Sequence, residues 1–215
     1  MKSLGSGCVV AGLRGGSSSA LQLNYSEGYE LWLAGLVIRR GKKSDAAAFL
    51  DLLVSLARFE KLEPPTPAAR RSILRDVFTL KRAELILAIR NGEAIGYALY
   101  FYAYSSFLAK PTLYLEDLFV MSRFRSSGVG TSMFLWCASE ARRKGCGRME
   151  WSVLTWNLKA LRFYENLGAR RLSDWYVYRL DSAGLEKLAD KTGRASDGPT
   201  RSNLKRAPKS AGFVV

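Results

Sequence analysis

The chain has 215 residues, 33 Lys and Arg against 19 Asp and Glu, and no histidine. That length suits one domain of about 150 residues with additional ends, and the missing imidazole excludes Ser-His-Asp and Cys-His catalysis and His-ligated zinc. The net charge of +14 favours anionic company: phosphorylated cofactors, nucleic acid or an acidic membrane surface.

Residues 1–35 are rich in Gly and Ser without a sustained period and are expected to be a flexible extension. Their "MKSLGSGCVVAGLRGGSSS" lacks the apolar centre of a signal peptide. The apolar run "YELWLAGLVI" ends at Ile38, well short of the roughly 20 residues of a membrane span, so no membrane partner is expected. Cys8, Cys137 and Cys146 are an odd, widely spaced set. They suit structural thiols in a reducing compartment, placing the protein in the cytoplasm, with no metal site.

"LVIRR" (36–40) reads as a strand. After Ser44, a candidate N-cap, Phe49, Leu52, Leu53, Leu56 and Phe59 recur at helical spacing. "PAARRSILRDVFTL" continues as a second helix with Pro67 in its first turn. "ELILAIR" and "EAIGYALYFYAY" flank Asn91-Gly92, the residue pair of a tight antiparallel hairpin. "TLYLEDLFVM" is a further strand, "TSMFLWCASEARRKG" a helix closed by Gly145, and "RMEWSVL" a strand. "NLKALRFYENLG" is a helix capped by Asn157 and ended by Gly168, and "WYVYRL" a last strand. The folded domain is set at 36–188, and residues 189–215, basic and rich in Gly, Pro and Ser, read as a disordered tail. Antiparallel strands followed by beta-alpha-beta alternation predict an α/β fold with a mixed, mostly antiparallel sheet and helices on both faces.

Two features carry chemistry. Glu116 and Asp117 are adjacent in a strand, where successive side chains alternate faces, so at least one should meet packed structure. A carboxylate there must pair with a cation, shift its pKa upward or line a wet cleft; a strand end or a structural salt bridge remains the alternative. The turn "RFRSSGVG" then joins strand to helix with Arg125, Gly128 and Gly130 at x-x-G-x-G spacing. Its glycines permit close backbone approach, and the helix-start amides attract an anion such as a phosphate.

With these motifs in order, "YLEDLFVM", "RFRSSGVG" and "WNLKALRFYENLGA", the chain resembles the GNAT N-acetyltransferases, in particular the diamine (spermidine/spermine) and thialysine acetyltransferase branch. The resemblance implies a GNAT fold with splayed central strands, acetyl-CoA as co-substrate and a homodimer. It implies that the cofactor's pyrophosphate meets Arg125, Ser126, Ser127, Gly128, Val129, Gly130 and Thr131, and that its pantetheine arm docks on backbone at Leu118, Phe119 and Val120. It also places Asn157, Ala160 and Tyr164 at the cofactor. Glu116 matches the base and Tyr164 the acid; from spacing alone Tyr164, beside Leu161 and Leu167, reads as core and Asn157 as a cap. Phe59, Glu60, Glu116, Asp117 and Asp174 match substrate positions. An acid and a tryptophan of the polyamine enzymes are replaced here by "YSSFLAKP", with Ser105, Ser106 and Phe107, which weakens recognition of a second positive charge.

The expected activity is therefore acetylation of a small primary amine: a polyamine, thialysine or an amino-acid derivative. Acetylation of protein lysines or N-termini is the alternative. A non-catalytic reading, nucleic acid bound by Arg194, Arg201, Lys205, Arg206 and Lys209, lacks interleaved aromatics before Phe213 and is not favoured.

Overall fold

The computed structural model describes residues 22–24, 30–33 and 35–194. The described residues divide into two compact units, one ending at Leu154 and one beginning at Thr155. In the first, β1 (Gln22–Asn24), β2 (Glu30–Leu33), β3 (Leu36–Arg40), β4 (Glu84–Arg90), β5 (Glu93–Ser105), β6 (Lys110–Val120) and β7 (Arg148–Glu150) form a seven-stranded sheet in sequence order. Only β6 and β7 pair in parallel. The sheet thus begins before Leu36, with two strands inside the segment expected to be an extension.

Local chemistry explains these elements. Asn91 and Gly92 have φ of 51° and 81° and set Arg90 opposite Glu93, the left-handed two-residue turn their sequence predicts. α1 (Ala46–Glu60) follows a 3-10 turn at Lys43–Asp45, so Ser44 lies inside that turn instead of capping the helix. Asp45 fixes the entry: it accepts from Arg39 at 2.7 and 3.0 Å and from the Lys42 amide at 2.7 Å. α2 (Pro67–Phe78) starts on Thr66, whose hydroxyl accepts from the Ala69 amide at 3.2 Å.

One face of the sheet packs Leu85, Leu87, Tyr97, Leu99 and Phe119 against Phe49 and Leu52 of α1 and Val77 of α2. The other carries α3 (Val129–Arg143), where Trp136 lies 6.1 Å from the Tyr100 ring. The strand alternation switches parity within β6. Leu113 and Leu115 pair with Tyr102 and Tyr100 of the α3 face, whereas Asp117 and Phe119 pair with Leu99 and Tyr97 of the α1 face. Glu116 is the extra residue of this bulge and has no cross-strand partner.

On the α3 side a buried carboxylate ties three elements together. Glu140, 1% exposed, accepts from Arg40 of β3 at 2.6 Å, from Arg143 at 2.6 and 2.7 Å and from the Tyr102 hydroxyl at 3.2 Å. Burial pushes its pKa up, but the hydrogen bonds and charges of Arg143 and Arg40 more than offset this and hold it below the ordinary carboxylate value.

The second unit holds α4 (Leu158–Asn166) and α5 (Ser182–Arg194). The expected strand "WYVYRL" is not formed: residues 175–180 lie in an irregular, exposed segment, and among the described residues this unit has no strand for them to pair with. α5 crosses the boundary placed after residue 188. Likewise "RMEWSVL" keeps strand geometry only over Arg148–Glu150.

Glu140→Ala should destabilise the protein by about 3 kcal/mol, the low end for breaking a buried ion pair because Arg40 retains Glu84 at 2.8 Å. The check is the urea midpoint. Because the folded pKa of Glu140 is depressed, its stabilisation is present above the ordinary carboxylate pKa and is lost as pH falls through the folded value. The stability difference from wild type should therefore shrink in acid.

Candidate active site

The turn after β6 leaves backbone amides free at the start of a helix. A 3-10 turn at Ser122–Phe124 leads to Arg125; Ser126 (φ 62°) and Gly128 (φ 83°) take left-handed backbone, and α3 begins at Val129. The Ser127 hydroxyl donates to the Phe124 carbonyl at 2.8 Å, and the Ser132 amide and hydroxyl both reach the Gly128 carbonyl, at 2.9 and 3.0 Å. Ser132 therefore makes the first helical bond, which leaves the amides of Val129, Gly130 and Thr131 without intrahelical acceptors. A Cβ built on Gly128 would meet no protein atom within 4 Å. The space over the turn is open, and helix-start amides bound it: the residues present fit a pyrophosphate. Gly130 has no positive φ, so its value lies in close approach alone.

Arg125 performs a second task. Its Nε donates to the Val120 carbonyl at 2.8 Å, and its guanidinium sits 4.4 Å from the Phe59 ring centre and 5.6 Å from that of Phe119. Burial of this cation lowers its pKa. The side chain thus ties the end of α1, where the expected substrate residues Phe59 and Glu60 lie, to the turn before α3.

The carboxylates lie at the bulge. Asp117 is half-buried, and its Oδ2 accepts from the Tyr97 hydroxyl at 3.0 Å. Burial pushes its pKa up to about 6; the Tyr97 hydrogen bond pulls it down, and the charges of Glu116 and Glu60 push it up further. Burial likewise raises Glu60, which is half-buried at the end of α1, while Glu116 is exposed. Tyr97 is fully buried and held far above the ordinary phenol value by burial first and then by Asp117.

Between β6 and β7 the sheet opens. Parallel pairing stops at Tyr114 opposite Glu150, while β6 continues to Val120. The chain leaving β7 is held by Trp151, edge-on to Phe134 of α3 at 5.2 Å, and by Ser152, whose hydroxyl meets that of Tyr114 at 3.2 Å. Leu118, Phe119 and Val120 border this divergence; Phe119 and Val120 are buried and Leu118 half-buried. Their backbone can receive a ligand while their side chains pack.

In the second unit Asn157 caps α4, its side chain accepting from the Ala160 amide at 3.2 Å. Tyr164 is half-buried one turn after Ala160, its ring 5.0 Å from that of Phe163, and Asp174 is exposed. The first unit thus gathers Phe59, Glu60, Glu116, Asp117 and the 118–131 segment; Asn157, Ala160, Tyr164 and Asp174 belong to the other. Ser105 is used locally, accepting from the Leu108 amide at 3.3 Å, and Phe107 is 99% exposed at the tip of the β5–β6 hairpin.

Sequence reasoning missed Tyr97 and the side-chain role of Arg125. A tyrosine inside the buried strand "GYALY" signals a hydroxyl in need of a partner, but that partner is fixed only by the bulged register. Among the described residues no group of His, Cys, Asp and Glu could hold a metal ion.

Residues 48–169 match the Acetyltransferase (GNAT) family. The thialysine N-epsilon-acetyltransferase of Mus musculus is 31% identical over 169 residues, covering 73% of this chain and 99% of its own. The L-ornithine N5-acetyltransferase of Arabidopsis thaliana is 39% identical over 93 residues, 43% of this chain and 41% of that protein. An integron cassette protein from V. cholerae shares the fold, with a TM-score of 0.63 at 24% identity over 72% of this chain and 98% of its own.

Gly128→Val places a Cβ in the open space over the turn and forces a left-handed backbone on a branched residue, at about 1–2 kcal/mol. Calorimetric titration with acetyl-CoA should show binding weakened at least about tenfold, with the fold retained by circular dichroism. Unchanged affinity would remove the turn from the cofactor site.

Proposed function

Because the chain belongs to the Acetyltransferase (GNAT) family, we propose that this acyl-CoA-dependent N-acetyltransferase moves the acetyl group of acetyl-CoA to the primary amine of a small, amino-acid-like molecule. The observation that carries the acceptor class is the group of carboxylates, Glu60, Glu116 and Asp117, in the unit that also bears the anion-binding turn. An anion cradle suits the cofactor; a half-buried acidic group suits an ammonium. Two relatives, a thialysine and an ornithine acetyltransferase by name, point to side-chain amines of amino acids.

An alkylammonium has a pKa of about 10.4, so nearly all the acceptor arrives protonated and unreactive at neutral pH. A carboxylate of the bulge, Glu116 or Asp117, attracts it and takes its proton. The neutral nitrogen then attacks the thioester carbonyl, and the C–S bond breaks. Tyr164 supplies the proton to the departing thiolate: a phenol, with pKa near about 10, is protonated at neutral pH and can donate. Amides of the 128–131 turn and the backbone of Leu118–Val120 hold the cofactor, and Phe59 bounds the acceptor. For the second unit, the family resemblance alone assigns Asn157 and Ala160 to the cofactor and Asp174 to the acceptor.

Ser105, Ser106 and Phe107 at the hairpin tip offer no carboxylate for a second ammonium, which favours one primary amine over a polyamine. The reading includes a homodimer, following the family resemblance, and a reducing cytoplasm, which suits the free thiols of Cys137 and Cys146. Among the described residues no helix is long and apolar enough to cross a membrane.

Incubation with isotopically labelled acetyl-CoA and pools of amino acids, polyamines and peptides, followed by mass spectrometry, should place the label on side-chain amines of free amino acids. Label confined to peptides would replace this reading with protein acetylation. With a labelled acceptor in hand, Tyr164→Phe should lower kcat by about 10- to 100-fold while acetyl-CoA affinity stays within about twofold.

A further inference from the structure

The proposed mechanism leaves the base open between Glu116 and Asp117 and gives Tyr97, the hydrogen-bond partner of Asp117, no task. The Asp117 carboxylate sits where the bulge switches β6 from one face to the other, and its Oδ2 is fixed by the Tyr97 hydroxyl at 3.0 Å. Tyr97 is itself immobilised: its ring lies edge-on to Phe49 of α1 at 5.2 Å and 6.2 Å from Phe119. Among the described residues the other oxygen of Asp117 has no protein donor, and no Lys or Arg reaches ion-pair distance of Asp117, Glu116 or Glu60. Arg125, which packs on the same elements, stacks on Phe59 and Phe119 and bonds the Val120 carbonyl. A half-buried carboxylate held by one oxygen and left without a cation is arranged to receive one.

We propose that Asp117, rather than Glu116, takes the proton from the incoming ammonium, and that Tyr97 is the positioning residue that aims it. This rests on the amine acetyltransferase reading above. The ammonium N–H faces the unbonded oxygen of Asp117; the proton moves to that oxygen and leaves a neutral amine with its lone pair free. Attack forms the C–N bond, and collapse breaks the C–S bond. The nitrogen loses its second proton on collapse, the thiolate gains one, and Asp117 returns its own to solvent. One acetyl-CoA and one alkylammonium thus give one amide, one thiol and one released proton.

The electrostatics support this division. The groups facing Asp117 are Tyr97 from β5, Glu60 from α1 and Glu116 from its own strand. Burial and the two like charges raise its proton affinity towards that of a useful base, while the Tyr97 hydrogen bond stabilises the charged form and keeps it ionised at neutral pH. Exposed Glu116 tunes that affinity through its charge.

The two neighbours should therefore shift the Asp117 titration in opposite directions. Tyr97→Phe removes a donor to the carboxylate, so the inflection rises by about one pH unit. Glu116→Gln removes a like charge, so it falls. The first test needs no acceptor: the carboxyl carbon of Asp117 is followed by NMR against pH in carbon-13-labelled wild type and in both variants. The second is the acid limb of kcat/KM with saturating acetyl-CoA and thialysine as the probe amine; it should track the same three inflections. Plateau kcat/KM should fall about three- to tenfold in Tyr97→Phe and about 10²- to 10⁴-fold in Asp117→Asn. An Asp117 inflection that stays in place in folded Tyr97→Phe and Glu116→Gln, or an acid limb that vanishes in Glu116→Gln and persists in Asp117→Asn, overturns the proposal. A wild type that titrates as expected yet acetylates no amine in the labelled pools instead overturns the amine-acetyltransferase reading, and the proton role with it.

Discussion

A single extra residue in β6 organises the functional half of this protein. Every cross-strand pair on either side of Glu116 is regular, Leu115 with Tyr100 and Asp117 with Leu99. With Glu116 between them, the parity of the strand inverts, so that Leu113 and Leu115 pack towards α3 while Asp117 and Phe119 turn towards α1. A bulge of this kind bends its strand and increases its local twist. Beyond it β6 runs on to Val120 without β7 alongside, and the glycine-bearing turn before α3 follows directly. The residues proposed for the acceptor, for the cofactor arm and for the pyrophosphate therefore succeed one another along one strand and one turn.

The two faces of the sheet treat buried charge in opposite ways. On the α3 face, Glu140 is saturated: Arg40, Arg143 and Tyr102 surround it, its pKa is depressed, and the cluster joins β3, β5 and α3. On the α1 face, Asp117 has a single hydroxyl and two like charges for company, and its pKa is raised. A carboxylate satisfied by guanidinium groups stabilises the fold and does no chemistry. One left without a cation costs stability in the free protein and becomes an attractive site for an ammonium. Arg125, eight residues further on, is occupied elsewhere: it stacks on Phe59 and bonds the Val120 carbonyl, which couples the end of α1 to the turn after β6.

Much of this was legible in the sequence where local chemistry decides structure. Asn91-Gly92 marked its hairpin, Pro67 and Asn157 marked helix starts, and the glycine spacing after Arg125 marked the turn that leads into α3. The adjacency of Glu116 and Asp117 showed that at least one must meet packed structure, and Asp117 does. Strict alternation, however, could not reveal the bulge, because an inserted residue is defined by the partner strand. Tyr97 escaped notice for the same reason: its partner is diagonal across β5 and β6, in a register the bulge sets. Ser44 lost the cap position to a 3-10 turn fixed by the Arg39–Asp45 pair. "WYVYRL" has the composition of a strand, but pairing needs an edge, and its own unit offers none among the described residues. Tyr164 carries no signature beyond a tyrosine on an amphipathic helix, so its role stays a proposal drawn from the family.

The most direct test of the bulge as the organising element is deletion of Glu116. The deletion keeps every β5–β6 pair in place, joins Leu115 to Asp117 and restores unbroken alternation. A folded protein with stability equal to or above wild type, measured by urea denaturation, and turnover of its amine acceptor reduced at least about 100-fold is the predicted result. Full turnover in a folded deletion variant would contradict the account, and so would loss of the fold, since the bulge would then serve the fold instead of shaping the strand around Asp117.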